Sequence, residues 1–163
     1  MPSRSAETRI LTLALPCEGH SSYPRAMARR ILGTLLGIFV AGLVVMVIEG
    51  LGSSAFPPDP GFDPAAPDLS LVPMGAIAMV ALAWVLGPIA GGLVATLVGR
   101  PPGPVPALII GGLFLAADVA NLLMIQSPPW LWVVGLVAPL PGAWGGFAAA
   151  RSLQQRRAAP SSD

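Results

Sequence analysis

The chain has 163 residues, 54% of them hydrophobic and 10% charged, where soluble domains carry about 25% charged residues. With a mean hydropathy of +0.73, most of the chain needs lipid as its solvent. Nine arginines, no lysine and a net charge of +1 exclude a concentrated basic face for nucleic acid, and one cysteine (Cys17) with one histidine (His20) excludes a disulfide scaffold, a closed zinc site and an iron–sulfur centre.

Residues 1–26 are mixed and polar, with Pro2, Pro16 and Pro24, and read as a disordered cytoplasmic extension. The apolar run Ile10–Leu15 is shorter than a signal-peptide core, and Pro16 before Cys17 is wrong for lipoprotein processing. Met27-Ala-Arg-Arg is a natural start for the first span. The membrane domain is then expected over 27–151, with helices at about 31–51, 74–98, 105–125 and 130–150. Between the first two lies a loop over 52–73, too rich in proline for regular structure. It holds Asp59, Asp63 and Asp68 and no basic residue. Gly99–Pro104 and Gln126–Pro129 are tight connections, and 152–163 is a solvated tail. Pro88, Pro139 and Pro141 fall inside expected spans, where each removes a backbone donor and predicts a kink.

Numbering the sides by alternation puts every arginine with the N-terminus, the 99–104 connection and the C-terminal tail. The positive-inside rule makes that side cytoplasmic. Loop 52–73 and the Ser127–Pro129 turn then face outward, with Trp130 and Trp132 at the outer interface. The expected fold is an all-α integral membrane protein, a four-helix bundle with both termini inside, in a bacterial-type inner membrane.

In lipid, helices associate through close packing of small residues. Gly33 and Gly37 on the first span, Gly87 and Gly91 on the second, Gly112 on the third, and Gly142 and Gly146 on the fourth recur at four-residue spacing. They are the expected packing positions, within the chain or in a homo-oligomer.

Two acids lie within the spans, Glu49 and Asp118. A charged side chain at the bilayer centre costs roughly 2.5 kcal/mol or more, so such residues are functional candidates. At 1.5 Å per residue, Glu49 lies ~27 Å from Ile31, Asp118 ~20 Å from Val105 and Asn121 ~24 Å from Val105. All three fall in the outer half of the bilayer, and Asp118 and Asn121 share a helix face. No cation inside a span can pair with the carboxyls, so they are expected as neutral acids. They form a candidate intramembrane polar site open to protons or cations. An interfacial Glu49 can also simply reach water, and Trp84 reads as a packing residue.

Ile48-Glu49-Gly50-Leu51-Gly52 with Pro57-Pro58, and Ala120–Ile125 followed by Pro128-Pro129-Trp130-Leu131-Trp132-Val133-Val134-Gly135, with Ala83-Trp84 and Gly91-Gly92, resemble small, uncharacterised four-span bacterial inner-membrane proteins. The resemblance covers roughly Met27–Arg151 and brings no known activity. It implies Met27 as the usual start, and Glu49 and Asn121 as residues to test. Small multidrug exporters carry a glutamate near the middle of their first span, unlike Glu49. Quinone-linked thiol oxidoreductases need paired cysteines, and four-span glutathione-linked enzymes an internal Glu-Arg pair. With no nucleophile–base pair, metal cluster or cofactor motif, an enzyme is not expected. The expectation is a non-enzymatic packing or assembly component that associates with lipid and with itself or other membrane proteins. The alternative is a small proton- or cation-coupled transporter, working as an oligomer through Asp118.

Overall fold

The computed structural model describes residues 23–63, 71–125 and 127–158, and all regular structure among them is helical. Five helices follow in order: α1 Tyr23–Ala55, α2 Met74–Gly99, α3 Val105–Met124, α4 Pro129–Val137 and α5 Pro139–Ala158. Three of them, α1, α2 and α3, are long and apolar enough to cross a membrane, and α4 with α5 makes a fourth if the bent pair is one span.

Several boundaries differ from the sequence expectation. The first helix starts at Tyr23, so 23–26 are helical and not part of a disordered extension; residues 1–22 lie outside the described residues. It also runs past Leu51 to Ala55, because Ser53 and Ser54 donate their hydroxyls to the carbonyls of Glu49 and Gly50 one turn back, at 2.9 and 2.8 Å. That inward bonding lets serine continue a helix. Pro57 and Pro58 then stop it. Of the expected loop, 64–70 lie outside the described residues. The 152–163 tail is likewise helical as far as Ala158, the rest lying outside the described residues.

The expected fourth span at 130–150 is two helices, broken at Ala138 and bent by 40°. Pro139 and Pro141 have no N–H, so the carbonyls of Gly135 and Val137 lose their helical donors and the chain turns there. Both prolines instead fill the first turn of α5, where a missing N–H costs nothing. Pro88, by contrast, stays inside an unbroken α2.

Helix α2 is the hub: it packs against all four other helices, with α1 on one side and α5 on another, while α3 lies across α2 and α5. Close backbone approach explains the arrangement. A Cβ built on Gly33 would lie 2.6 Å from the Gly99 nitrogen, and one on Gly37 2.7 Å from the Gly91 carbonyl oxygen. Gly92 meets the Ala143 carbonyl, and Gly146 meets the backbone of Ile89 and Leu93, so α2 and α5 each bring a glycine to the other's backbone. Two small apolar clusters fill what remains: Ala41, Ala95 and Ile110 in one, Ile77, Trp84, Leu122 and Leu131 in the other.

The exterior is as apolar as the interior. Leu32, Leu35, Phe39 and Met46 on α1, and Ile109, Leu113 and Leu123 on α3, are exposed. α1 lays a narrow stripe of Gly33, Gly37 and Ala41 against the bundle, continued by Val45 on Gly87 and by Gly52 on Met79. Contacts between helix ends also sort the charge. The start of α1 touches the end of α2 through Gly33 and Gly99, and α5 joins the same end through Gln154 and the Thr96 carbonyl at 3.2 Å. Arg25, Arg29, Arg30, Arg100, Arg151, Arg156 and Arg157 are therefore grouped at one end. Of the described acids, Glu49, Asp59 and Asp63 stand at or beyond the other end of α1, and Asp118 lies near the end of α3.

Candidate functional site

At the end of the bundle away from the arginines, the last turns of α1 and α3 diverge from the first turns of α2 and α4. They leave a cavity of about 310 Å³. Glu49 and Ser53 of α1, Asn121 of α3 and Ser127 supply its polar wall. Phe56, Phe62 and Trp84 supply aromatic surface, and Ile77, Val80 and Leu131 aliphatic surface.

Two glycines make room for the aromatic rings. Phe56 lies across Gly75, where a Cβ would fall 2.6 Å from its ring, and Trp84 lies on Gly135, at 2.9 Å. Trp84 is thus both the packing residue the sequence suggests, 4% exposed in its cluster, and part of the cavity wall. One turn further on, Pro88 leaves the Trp84 carbonyl without its usual helical donor. Phe56, Phe62, Ser53 and Ser127 were not legible as site residues. The one signal is an aromatic pair, Phe56 and Phe62, in a stretch otherwise made of proline, aspartate and small residues.

The three candidate polar residues are divided by the structure. Glu49 is half-buried and lines the cavity together with Asn121, which is exposed. Asp118 does not line it. It sits on α3 about one turn deeper than Asn121, ~4.5 Å along the axis, and only 3% of its surface is exposed. Its Oδ2 is buried with no hydrogen-bond partner. Glu49 is near enough for the two carboxyls to act on each other electrostatically. A buried polar atom without a partner costs about 1–3 kcal/mol, so this one calls for an explanation.

The hydroxyls on the wall are already committed as donors, Ser53 to the Glu49 carbonyl at 2.9 Å and Ser127 to that of Ile125 at 3.2 Å. Toward a ligand they can only accept. Glu49 accepts when ionised, and among the described wall side chains only the Asn121 amide both donates and accepts. Among the described residues no three His, Cys, Asp or Glu side chains come together as metal ligands do.

Of the expected packing glycines, Gly33, Gly37, Gly87, Gly91, Gly142 and Gly146 all lie at helix contacts, with neighbouring atoms of another helix within 4 Å of an added Cβ. Gly112 does not: an added Cβ there would meet no atom of another helix within 4 Å. The buried face of α3 carries Ala107, Ile110, Gly111, Asp118 and Leu122, and its close approach is made by Gly111, where an added Cβ would fall 2.9 Å from the Pro139 carbonyl oxygen. At 100° per residue the ladder Gly112–Ala116–Ala120 is turned off that face. No protein-family model, no curated protein and no solved structure matches this chain.

Proposed function

We propose that this chain is a four-span protein of a bacterial-type inner membrane, with both termini cytoplasmic, that takes up a cation or proton through Glu49 and Asp118. The topology rests on the arginine-free end, since the arginine-bearing end of a membrane bundle is the cytoplasmic one. α4 and α5 together supply the fourth crossing. The cavity then opens outward.

The single observation that carries the functional reading is the Asp118 carboxyl. It is buried, lacks a partner on Oδ2, and sits within electrostatic reach of a second carboxyl on a cavity wall. A buried carboxyl without a partner beside a second carboxyl, with no cation near them among the described residues, is a place where a proton or cation can be taken up. A cation arriving at Glu49 would act on the Asp118 carboxyl, which is the elementary coupling an exchanger needs.

The test is proton flux into proteoliposomes with a trapped pH dye, under an imposed potential and with candidate cations added. Wild type should carry flux that Asp118→Asn and Glu49→Gln lose. Flux equal to that of empty liposomes from well-folded wild type would sink the transport reading.

A second reading, a packing or assembly component, is favoured by the outward ladder Gly112–Ala116–Ala120, which no described helix covers. Cysteine crosslinking at Ala116 that recovers a specific dimer or partner would support it, and monomer alone would count against it.

A further inference from the structure

We infer that the ligand of the outer cavity is an organic cation with an apolar body, an amine or quaternary ammonium, rather than a metal ion or an anion. This deepens the reading above and rests on the cavity being open to solvent or lipid in the membrane.

The wall decides the charge. Among the described residues its only ionisable side chain is the Glu49 carboxyl, both of its hydroxyls are committed as donors, and no basic residue lines it. An anion would meet a carboxylate and one amide, while a cation meets a carboxylate and acceptor oxygens. The wall also decides the body. Hard metal ions need about six or more oxygen ligands, or keep a water shell. Here a single carboxyl is surrounded by Phe56, Phe62, Trp84, Ile77, Val80 and Leu131. Aromatic faces attract a poorly hydrated cation, as quaternary ammonium cages do, and aliphatic surface rewards an apolar body. A volume of about 310 Å³ suits one small aromatic or aliphatic amine at the lower end of ligand pockets.

In the bound arrangement the positive head lies at Glu49 near the rim. The body lies inward on Trp84 and Leu131, and the Asn121 amide turns its oxygen toward the head group. Asp118, off the wall, does not touch the ligand and acts on it only through Glu49.

The probe is benzyltrimethylammonium, beside neopentylbenzene, its neutral isostere with carbon in place of nitrogen. Each is dialysed to equilibrium against the full chain in phosphatidylcholine nanodiscs and against empty discs. The cation should bind the protein above the empty-disc level, and Glu49→Gln should weaken it at least tenfold. Trp84→Leu should weaken it several-fold, and Gly112→Ala should leave it unchanged. The neutral isostere should partition equally into loaded and empty discs. Equal binding of isostere and cation, or a cation bound as well by a folded Glu49→Gln protein, would overturn the inference. So would no binding of the cation by wild type. Proton flux lost in Asp118→Asn without cation binding would leave the transport reading standing and remove this one. Cation binding without flux would do the reverse.

Discussion

Replacing Gly37 by alanine tests whether backbone approach holds α1 on α2. The added Cβ would lie 2.7 Å from the Gly91 carbonyl oxygen, 2.8 Å from Ala95 Cβ and 2.8 Å from Ile110 Cδ1. Ordinary carbon contacts sit at about 3.5–4.0 Å, so the deficit approaches one ångström. The first two atoms are fixed to the α2 backbone. The third belongs to a fully buried isoleucine. No side chain can swing away, so the helices must part along the Gly33–Gly37–Ala41 seam. Overpacking of this kind costs about 1–3 kcal/mol. Gly112→Ala is the matched control: it too sits inside a helix, and its Cβ would meet nothing within 4 Å. Whatever alanine gains over glycine as a helix residue is common to both, so the difference between the two variants isolates packing. Unfolding by SDS in mixed micelles, followed by tryptophan fluorescence, should place Gly37→Ala about 1–3 kcal/mol below Gly112→Ala. Equal midpoints would refute the close-contact account of the α1–α2 interface.

Three further outcomes follow from single residues. Asp118→Leu keeps the branched outline and removes the unpartnered oxygen, so the same unfolding assay should find it neutral or up to about 3 kcal/mol more stable; marked destabilisation would mean that Asp118 has a structural partner. Arg100 closes α2 in the left-handed region at φ 45, ψ 51, a conformation costing a non-glycine residue about 1 kcal/mol. Arg100→Gly should therefore raise stability by about that amount, and a fall would show that the guanidinium contributes more than the backbone loses. With Cys17 replaced by serine, a cysteine at Gly61 or Ser127 should react with a membrane-impermeant maleimide added outside intact cells, and one at Gly103 should not. The opposite pattern would invert the orientation.

The long helices were legible because hydrophobic runs bounded by proline leave few alternatives; α2 and α3 end within a residue of where the pattern puts them. The helix extensions were not, since Ser53 and Ser54 look like loop residues until their hydroxyls bond back to the preceding turn. The break at Ala138 was half-legible: Pro139 and Pro141 predict a disturbance, but whether two prolines kink a helix or restart it depends on where the next helix docks. Gly112 was half-legible: a four-residue ladder is visible in sequence, while whether it faces a helix of this chain or the outside depends on how the helices dock. At the site, Glu49 and Asn121 were found through polarity in an apolar run. The aromatic walls depend on Gly75 and Gly135, which sit far from Phe56 and Trp84 in sequence and take on meaning only when the helices are assembled.

The hub position of α2 also orders assembly in time. Its partner on one side, α1, precedes it in the chain, so that hairpin can close as soon as α2 has been made. The other groove, floored by Ile89, Gly92 and Leu93, is filled by Ala143 and Gly146 of α5, which follows α2 in the chain after two further helices. A ribosome that stops before Pro139 therefore leaves a half-built bundle whose tightest seam stands open. Helix α5 acts as the bolt that shuts it.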